Sequence, residues 1–481
     1  MEPSYIHMTV LQLRALCKER GVRLPAGVKK ADIIEKLLAQ DAQGRSTPRT
    51  QESPTHAYRQ APPERRPYRP RVPGYYNEEY GTSNPAVPQM LEAGLCADGA
   101  GILEMQPDGY GFLRAENYSP GPDDVYVSIA QIRRFHMKNG DHVAGKTRPK
   151  REGDRYNALM YVEKINGETP DKACVRRDFE TLTPIHPNRR LTLENPQGGS
   201  DIAIRMLDFI APIGLGQRAL IVAPPKAGKT VLLKKIAAAI EQNHPDLHLI
   251  VLLIDERPEE VTDLKRSIAG EVAYSTFDQP GENHARVAEM VYDRAQRLVE
   301  QGRDVVVLMD SLTRLARAYN ASAVGGRALS GGLAQGVLQK PKKFFGAARN
   351  LEEGGSLTII ATVLVETGSR TDEIIFEEFK GTGNAEIRLD RALSERRVFP
   401  AVDLLRSGTR REELLLTPLE LEGVSHIRRL LSEKRGGENI CQLISMLENT
   451  KNNEEFFKCL KEYLAISRKE AYTIRGVRSS V

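Results

Sequence analysis

Three stretches of the chain carry the residue types that phosphate chemistry needs. The first is Leu220–Thr230, reading LIVAPPKAGKT. An apolar run ends in a Pro/Gly turn, and Gly228, Lys229 and Thr230 open an amphipathic helix whose Leu232, Leu233, Ile236 and Ile240 fall near one face. Backbone N–H groups at such a strand–loop–helix turn point at phosphate oxygens, a Lys reaches the outer phosphates, and a Thr hydroxyl can ligate Mg²⁺. Ala223 stands where the first Gly of G-x-x-x-x-G-K-[ST] belongs, a departure that the two prolines can accommodate. The second stretch, IVLLIDERPEE, is an apolar run ending at Asp255, Glu256 and Arg257. The third, VVVLMDS, closes on Asp310. A carboxylate at that third end suits the metal side of a bound nucleotide, beside Thr230, and Glu256 suits a general base for water. A base that polarises water implies hydrolysis, and hydrolysis needs further positive charge on the transition state. Arg410, in SGTRREE, is a candidate arginine finger, with a solvated Arg-rich loop as the alternative.

A second kind of chemistry is written in DGYGFLR, residues 108–114. Strand alternation puts Tyr110, Phe112 and Arg114 on one face, and the glycines between leave the rings uncovered. Exposed aromatics beside Arg form a base-stacking platform, worth about 1–3 kcal/mol per stacked base. The alternative is that both rings belong to a core. Two Gly-bearing loops, NASAVGGRALSGG and ETGSRTDE, carry Arg327 and Arg370 and can either grip a nucleic-acid backbone or serve as plain surface connections.

The elements that must hold these groups follow from patterning. Residues 94–168 contain five short strand-like runs between Gly/Pro/Asp turns, which suits a small closed barrel of the OB or cold-shock type. From residue 201 to 481, apolar strands at Ala219–Val222, Leu249–Ile254, Asp304–Met309 and Leu357–Val365 alternate with helices such as Thr230–Glu241 and Val287–Gln301. That alternation predicts a parallel sheet with ligands beyond the carboxyl ends of its strands. Residues 169–200 read as a connector and residues 1–40 as a helical unit, with Cys17 on its first helix and Ile33 on its second. Between them, residues 41–93 are rich in Pro, Arg, Ser and Tyr and poor in aliphatics, so a disordered linker is expected. The fold class is therefore multidomain α/β.

With 481 residues, two to four domains are expected, and a net charge of +5 permits nucleic acid without requiring it. Five cysteines lack C-x-x-C spacing, which fits reduced thiols. No apolar run is long enough to span a membrane and the first residues lack a signal-peptide core, so a cytoplasmic protein without a membrane partner is expected.

Taken together, APPKAGKT, LLIDERPEEVT, LMDSLTRLARAYN, KKFFGAARNLEEGGSLTIIATVLVETGS, FKGTGNAE, DGYGFLR and DDVYVSIAQIRRF resemble the bacterial transcription termination factor Rho family. The resemblance covers residues 1–40 and 94–481, and the Ala223 departure is the family's own form. It implies a RecA-like ATPase domain with a helical C-terminal part. It also implies a homohexamer that hydrolyses ATP with Mg²⁺, translocates 5′ to 3′ along single-stranded, C-rich RNA as an RNA–DNA helicase, and releases RNA from the RNA polymerase elongation complex. The primary RNA site carries over to Gly109, Tyr110, Gly111, Phe112, Leu113, Arg114, Asp124, Val125, Tyr126, Asp154, Arg155 and Tyr156. Nucleotide contacts carry over to Gly214, Leu215, Gly216, Gln217, Arg218 and Ala219, to Lys226, Ala227, Gly228, Lys229, Thr230 and Val231, and to Arg257. Glu256 becomes the catalytic base, assisted by Lys229, with Thr230 and Asp310 on the metal side and Arg410 reaching a neighbouring subunit's nucleotide. Arg327 and Arg370 become the secondary RNA site, where the family pattern has Lys; Arg keeps the charge as a planar fork rather than a point donor. The first of these loops is also a residue shorter than the common form. Two other readings are a rotary-type ATPase subunit and a non-catalytic RNA-binding protein; the stacking strand argues against the first, the intact site residues against the second.

Overall fold

Alternating apolar residues between 97 and 165 fold, in the computed structural model, into β1 (Ala97–Met105), β2 (Gly111–Arg114), β3 (Val125–Val127), β4 (His142–Arg148) and β5 (Asn157–Ile165). The structure describes Cys17, Ile33 and residues 86–150, 153–195, 197–199, 201–323, 332–433 and 438–462. Cys17 and Ile33 are helical and buried, as the apolar spacing around them anticipates. Most of the expected disordered stretch, 41–93, lies outside the described residues, but its end forms a helix, α1 (Ala86–Glu92). Pro88 is buried there, so the last turn of that stretch has an apolar anchor that composition averaged over the segment hides.

The five strands close in the order β1-β2-β3-β5-β4. Leu103, Leu113, Val125, Val127, Val143, Leu159 and Val162 fill the barrel. Helix α2 (Ile129–Arg134) plugs it with Ile132 and starts at a capping box between Ser128 and Gln131; such caps contribute about 1 kcal/mol. Ile102, one residue out of register with Leu103, points the other way and joins a second apolar cluster that belongs to the following domain. The period of two thus decides which side chain seals the barrel and which one faces the neighbour. Helix α3 (Pro170–Cys174) still adds Ala173 to the barrel core.

Beyond it, a nine-stranded sheet runs β14-β13-β7-β12-β10-β8-β9, with β6 (Pro184–Ile185) and β11 (Arg349–Leu351) off one side. Its parallel strands are β7 (Arg218–Ala223), β8 (His248–Glu256), β9 (Glu271–Thr276), β10 (Asp304–Asp310), β12 (Ser356–Leu364) and β13 (Ala385–Arg388). The antiparallel β14 (Gly408–Thr409) closes the far edge. Along β7, Ala219, Ile221 and Ala223 face one helical layer while Leu220 and Val222 face the other. Both faces being covered is why these strands read as unbroken apolar runs. The first layer contains α4 (Ile202–Ile210), α5 (Lys229–Asn243) and α6 (Pro258–Ser267). The second contains α7 (Gly281–Val299), α8 (Leu312–Ala321), α9 (Gln339–Gly346) and α10 (Arg370–Lys380). On α5, Leu232, Leu233, Ile236 and Ile240 are buried, each worth about 1.5–3 kcal/mol. A short α11 (Arg391–Glu395) follows β13, and α12 (Pro418–Glu433) and α13 (Glu438–Glu448) complete the C-terminal part.

Candidate nucleotide and RNA sites

Because β7, β12, β10 and β8 run parallel and adjacent, their carboxyl ends share one edge of the sheet. Beyond β7 comes the phosphate loop. Lys226 takes a positive φ of 64° and Gly228 one of 86°, and Gly228 is the N-cap of α5. Only a residue without Cβ enters that conformation freely, which explains the glycine before Lys229. Lys229 Nζ lies 2.6 Å from Asp310 Oδ1 at the end of β10. The intervening strand β12 contributes Thr362, whose hydroxyl donates to the same oxygen at 2.8 Å.

Glu256 ends β8. Asp255 before it has φ 57° and sits at an irregularity in the β8–β9 ladder. A bulge of this kind turns the next side chain, and here it buries Glu256, which is 3% exposed. Burial first, and then the neighbouring Asp310 charge, push its carboxyl up to about 7, against the opposing pull of Lys229 and Arg314. Arg314 Nη1 lies 3.0 Å from Glu256 Oε2, yet that oxygen accepts no hydrogen bond. A buried carboxyl poised near neutrality, paired with the Arg314 guanidinium, has the properties of a general base. Thr230 Oγ1 has one long contact, 3.4 Å to Glu260 Oε2. Thr230 and Asp310 carry hard oxygen donors of the type Mg²⁺ takes together with substrate phosphates.

Beside the loop lies a cavity of about 500 Å³, bounded by Gly228, Val231, Leu389, Phe399 and Val402. It is of a size and apolarity that suit a nucleobase. Phe399 is half-exposed there. Sequence reasoning passed over Phe399, although an aromatic beside Pro400 in an Arg-rich turn was a signal. Arg314, Glu260 and Thr362 lie inside LMDSLTRLARAYN, LLIDERPEEVT and KKFFGAARNLEEGGSLTIIATVLVETGS, but residue type and spacing alone assign them no role. Arg257 is exposed at the N-cap of α6.

Residues Gly214–Ala219 do not come to this site. They lead into the amino end of β7, whereas the phosphate loop leaves its carboxyl end, about 17 Å away for six extended residues. Their groups are engaged locally: Gly216 N–H donates to Thr358 Oγ1 at 2.8 Å and Gln217 Nε2 to Asn384 Oδ1 at 2.7 Å. Arg410 is also away from the loop, in a separate cleft at the β13–β14 edge with Arg406 and Arg428.

On the barrel, four rings from three segments form one wall. Phe112 and Tyr156 have centroids 4.9 Å apart, Tyr110 and Tyr126 5.7 Å, and Tyr110 and Phe112 5.7 Å. Tyr126 is the most open of them. Leu113 and Val125, both carried over to the primary RNA site, instead point into the core, as alternation on either side of Phe112 and Tyr126 requires. Arg114 is not a solvated cation either. It is 7% exposed, with Nε 2.5 Å from Glu104 and Nη1 2.5 Å from Asp124, and its guanidinium carbon is 5.1 Å from the Phe112 centroid. Gly109 takes φ 91° at the turn into β2, and Gly111 is buried. Arg155 is exposed, and Asp154 Oδ2 meets Arg148 Nη2 at 3.0 Å. Arg327 lies outside the described residues. Arg370 is exposed at the start of α10, in a loop fixed by Thr367 and Arg317, which both bond the buried Asp372.

Comparison with known proteins agrees with this geometry. The family profile described as Rho termination factor, RNA-binding domain, matches residues 99–171. The chain is 56% identical over 377 residues to transcription termination factor Rho of Haemophilus influenzae, covering 78% of this chain and 90% of that one. The chain belongs to the Rho family of transcription termination factors. The Rho of Bacillus subtilis is 55% identical over 364 residues, 75% of this chain and 84% of its own. The sheet domain of this Rho-family chain also matches, over residues 203–409, the profile described as ATP synthase alpha/beta family, nucleotide-binding domain. Among the described residues, no helix is long and apolar enough to cross a membrane.

Proposed function

We propose that this chain is an RNA-dependent ATPase that translocates 5′ to 3′ along C-rich RNA, unwinds RNA–DNA hybrids and terminates transcription. What carries the reading is an aromatic wall for bases in the same folded unit as a sheet edge that gathers Lys229, Thr230, Glu256 and Asp310. ATP phosphates would lie on Lys226–Val231, with Arg257 nearby and the base against Phe399. Glu256 would take the proton of the attacking water. Thr230 and Asp310 would hold Mg²⁺, which supplies positive charge that neutralises the phosphate oxygens. Lys229 would exchange its contact with Asp310 for a phosphate oxygen when nucleotide binds.

Bases would stack on Tyr110, Phe112, Tyr126 and Tyr156, and Arg327 and Arg370 would meet the RNA backbone as a second site. Because Arg410 stands outside the cavity beside the loop, in the homohexamer of this reading it would serve the nucleotide of a neighbouring subunit. The domain division follows the same lines: a helical unit at 1–40, a linker at 41–93, a barrel at 94–168, a connector at 169–200 and the ATPase from 201 onward. The RNA polymerase elongation complex as partner and the cytoplasm as compartment belong to the same reading.

The test is ATP turnover with and without cytidine-rich single-stranded RNA. Strong stimulation, lost in Glu256→Gln, is expected. Turnover indifferent to RNA would favour instead a rotary-type ATPase, which the match of residues 203–409 to the ATP synthase profile keeps in view.

A further inference from the structure

One carboxylate oxygen joins the barrel to the motor. Glu104 Oε2, on β1, lies 2.5 Å from Arg114 Nε of the barrel and 3.0 Å from Arg286 Nη1 of α7. Arg114 borders the aromatic wall at Phe112. The first turns of α7 continue toward the catalytic edge. His284 Nδ1 meets Ser275 Oγ at 2.6 Å, and its Nε2 lies 4.0 Å from Asp255 Oδ1, the bulge residue that aims Glu256. Every group in this line is at least three-quarters buried apart from Asp255, so the charges are poorly screened.

We infer that Glu104 and Arg286 are positioning residues that transmit base binding on the barrel to Glu256. The inference rests on the RNA-dependent ATPase reading above. A base whose edge draws N–H groups of Arg114 toward itself weakens the Arg114–Glu104 contact. The shared oxygen is then left to Arg286 alone, whose Nη2 is buried without a hydrogen-bond partner and can turn into that contact. Because α7 is packed along its length by Val287, Ala288 and Val291, a pull at Arg286 moves the turn as a body, with His284 in it. That shifts the groups facing Asp255 and so the aim of Glu256. Other barrel–motor contacts brace without touching Arg114: Tyr118 meets Glu271, and Lys138 meets Glu300.

The experiment uses the full chain and three readouts: ATP turnover without RNA, turnover with poly(C), and equilibrium binding of a fluorescent oligo(C). For Arg286→Met the expected result is unchanged RNA-free turnover, oligo(C) affinity within about twofold of wild type, and poly(C) stimulation reduced about fivefold or more. Arg286→Lys, which keeps the charge, should recover a large part of the stimulation. Glu104→Gln combined with Arg286→Met should lose no more than the worse single variant, the mark of two residues acting as one link. Lys138→Met, removing a brace, should leave stimulation as in wild type. Stimulation of Arg286→Met at the wild-type level overturns the inference. So does a parallel loss of RNA affinity and stimulation, which would mean a structural role only. Wild-type turnover indifferent to poly(C) overturns the functional reading itself, a distinct result.

Discussion

Glu256 keeps its proton to about pH 7 because burial, reinforced by Asp310, penalises the charged form. Two consequences separate its catalytic from its structural effect. As a base it acts only when ionised, so turnover in saturating ATP should rise with pH through the region near 7, and Glu256→Gln should lose about 10²–10⁴-fold in rate and flatten that limb. For stability the sign is opposite. The folded carboxyl holds its proton to a higher pH than the unfolded one, so the native state binds more protons between the two values and this group makes stability fall as pH rises through that window. Glu256→Gln is therefore expected to melt like wild type below about pH 4 and higher than wild type near pH 8. A variant that is catalytically dead yet more stable in alkaline solution would be hard to explain by misfolding.

Elements rather than single residues decide whether those groups meet. The strands were legible because β7, β8, β10 and β12 are buried on both faces, and a continuous apolar run marks each one, closing on an acid in β8 and β10 and on a Pro/Gly turn after β7. Tyr110 and Phe112 were legible for the opposite reason, since rings alternating with Gly reveal an outward face, whereas Tyr126 and Tyr156 were reached only through the family resemblance. Thr362, Arg314 and Arg286 were not legible, because their partners are chosen by sheet order and helix packing. Thr362 reaches Asp310 only because β12 lies between β7 and β10. Residues 214–219 show the converse: a glycine-bearing turn that resembles a phosphate contact serves packing. Gly216 has φ 93°, and a Cβ there would stand 2.2 Å from Asn350 N. Gly216→Ala should cost about 2–4 kcal/mol in chemical denaturation, through strain at the turn that seats β7. The C-terminal helices hang on another such element. Arg205 of α4 donates to the carbonyls of Leu447 and Thr450, each at 2.7 Å, and pairs with Glu194 at 3.0 Å. Arg205→Met would strand buried acceptors and a buried carboxyl together, so a loss of about 3–5 kcal/mol is expected, read as earlier unfolding of the last helices in hydrogen exchange.

At the scale of the whole molecule, each chain carries an incomplete site under the proposed reading. Its phosphate loop, base cavity and Glu256 stand at one edge of the sheet, while Arg410 stands in a cleft past β13 on another. A closed ring built from head-to-tail contacts presents each chain's second surface to the next chain's first, so the two halves meet between subunits. If Arg410 serves the neighbour, the defects of Lys229→Ala and Arg410→Ala must complement. Each variant alone should hydrolyse ATP hardly at all, because every interface lacks one component. Co-assembled in equal amounts, about a quarter of the interfaces pair an intact loop with an intact finger, and turnover should return in proportion to that fraction. The same mixture of Lys229→Ala with Glu256→Gln provides the contrast. Both of those residues belong to the same half-site, so an interface cannot draw one from each neighbour and no activity should return. Recovery in the first mixture alone places Arg410 in the adjoining subunit's site. An absence of recovery in both would put the finger on the chain's own nucleotide, and the cleft at β13–β14 would then have to close toward the loop within a single subunit.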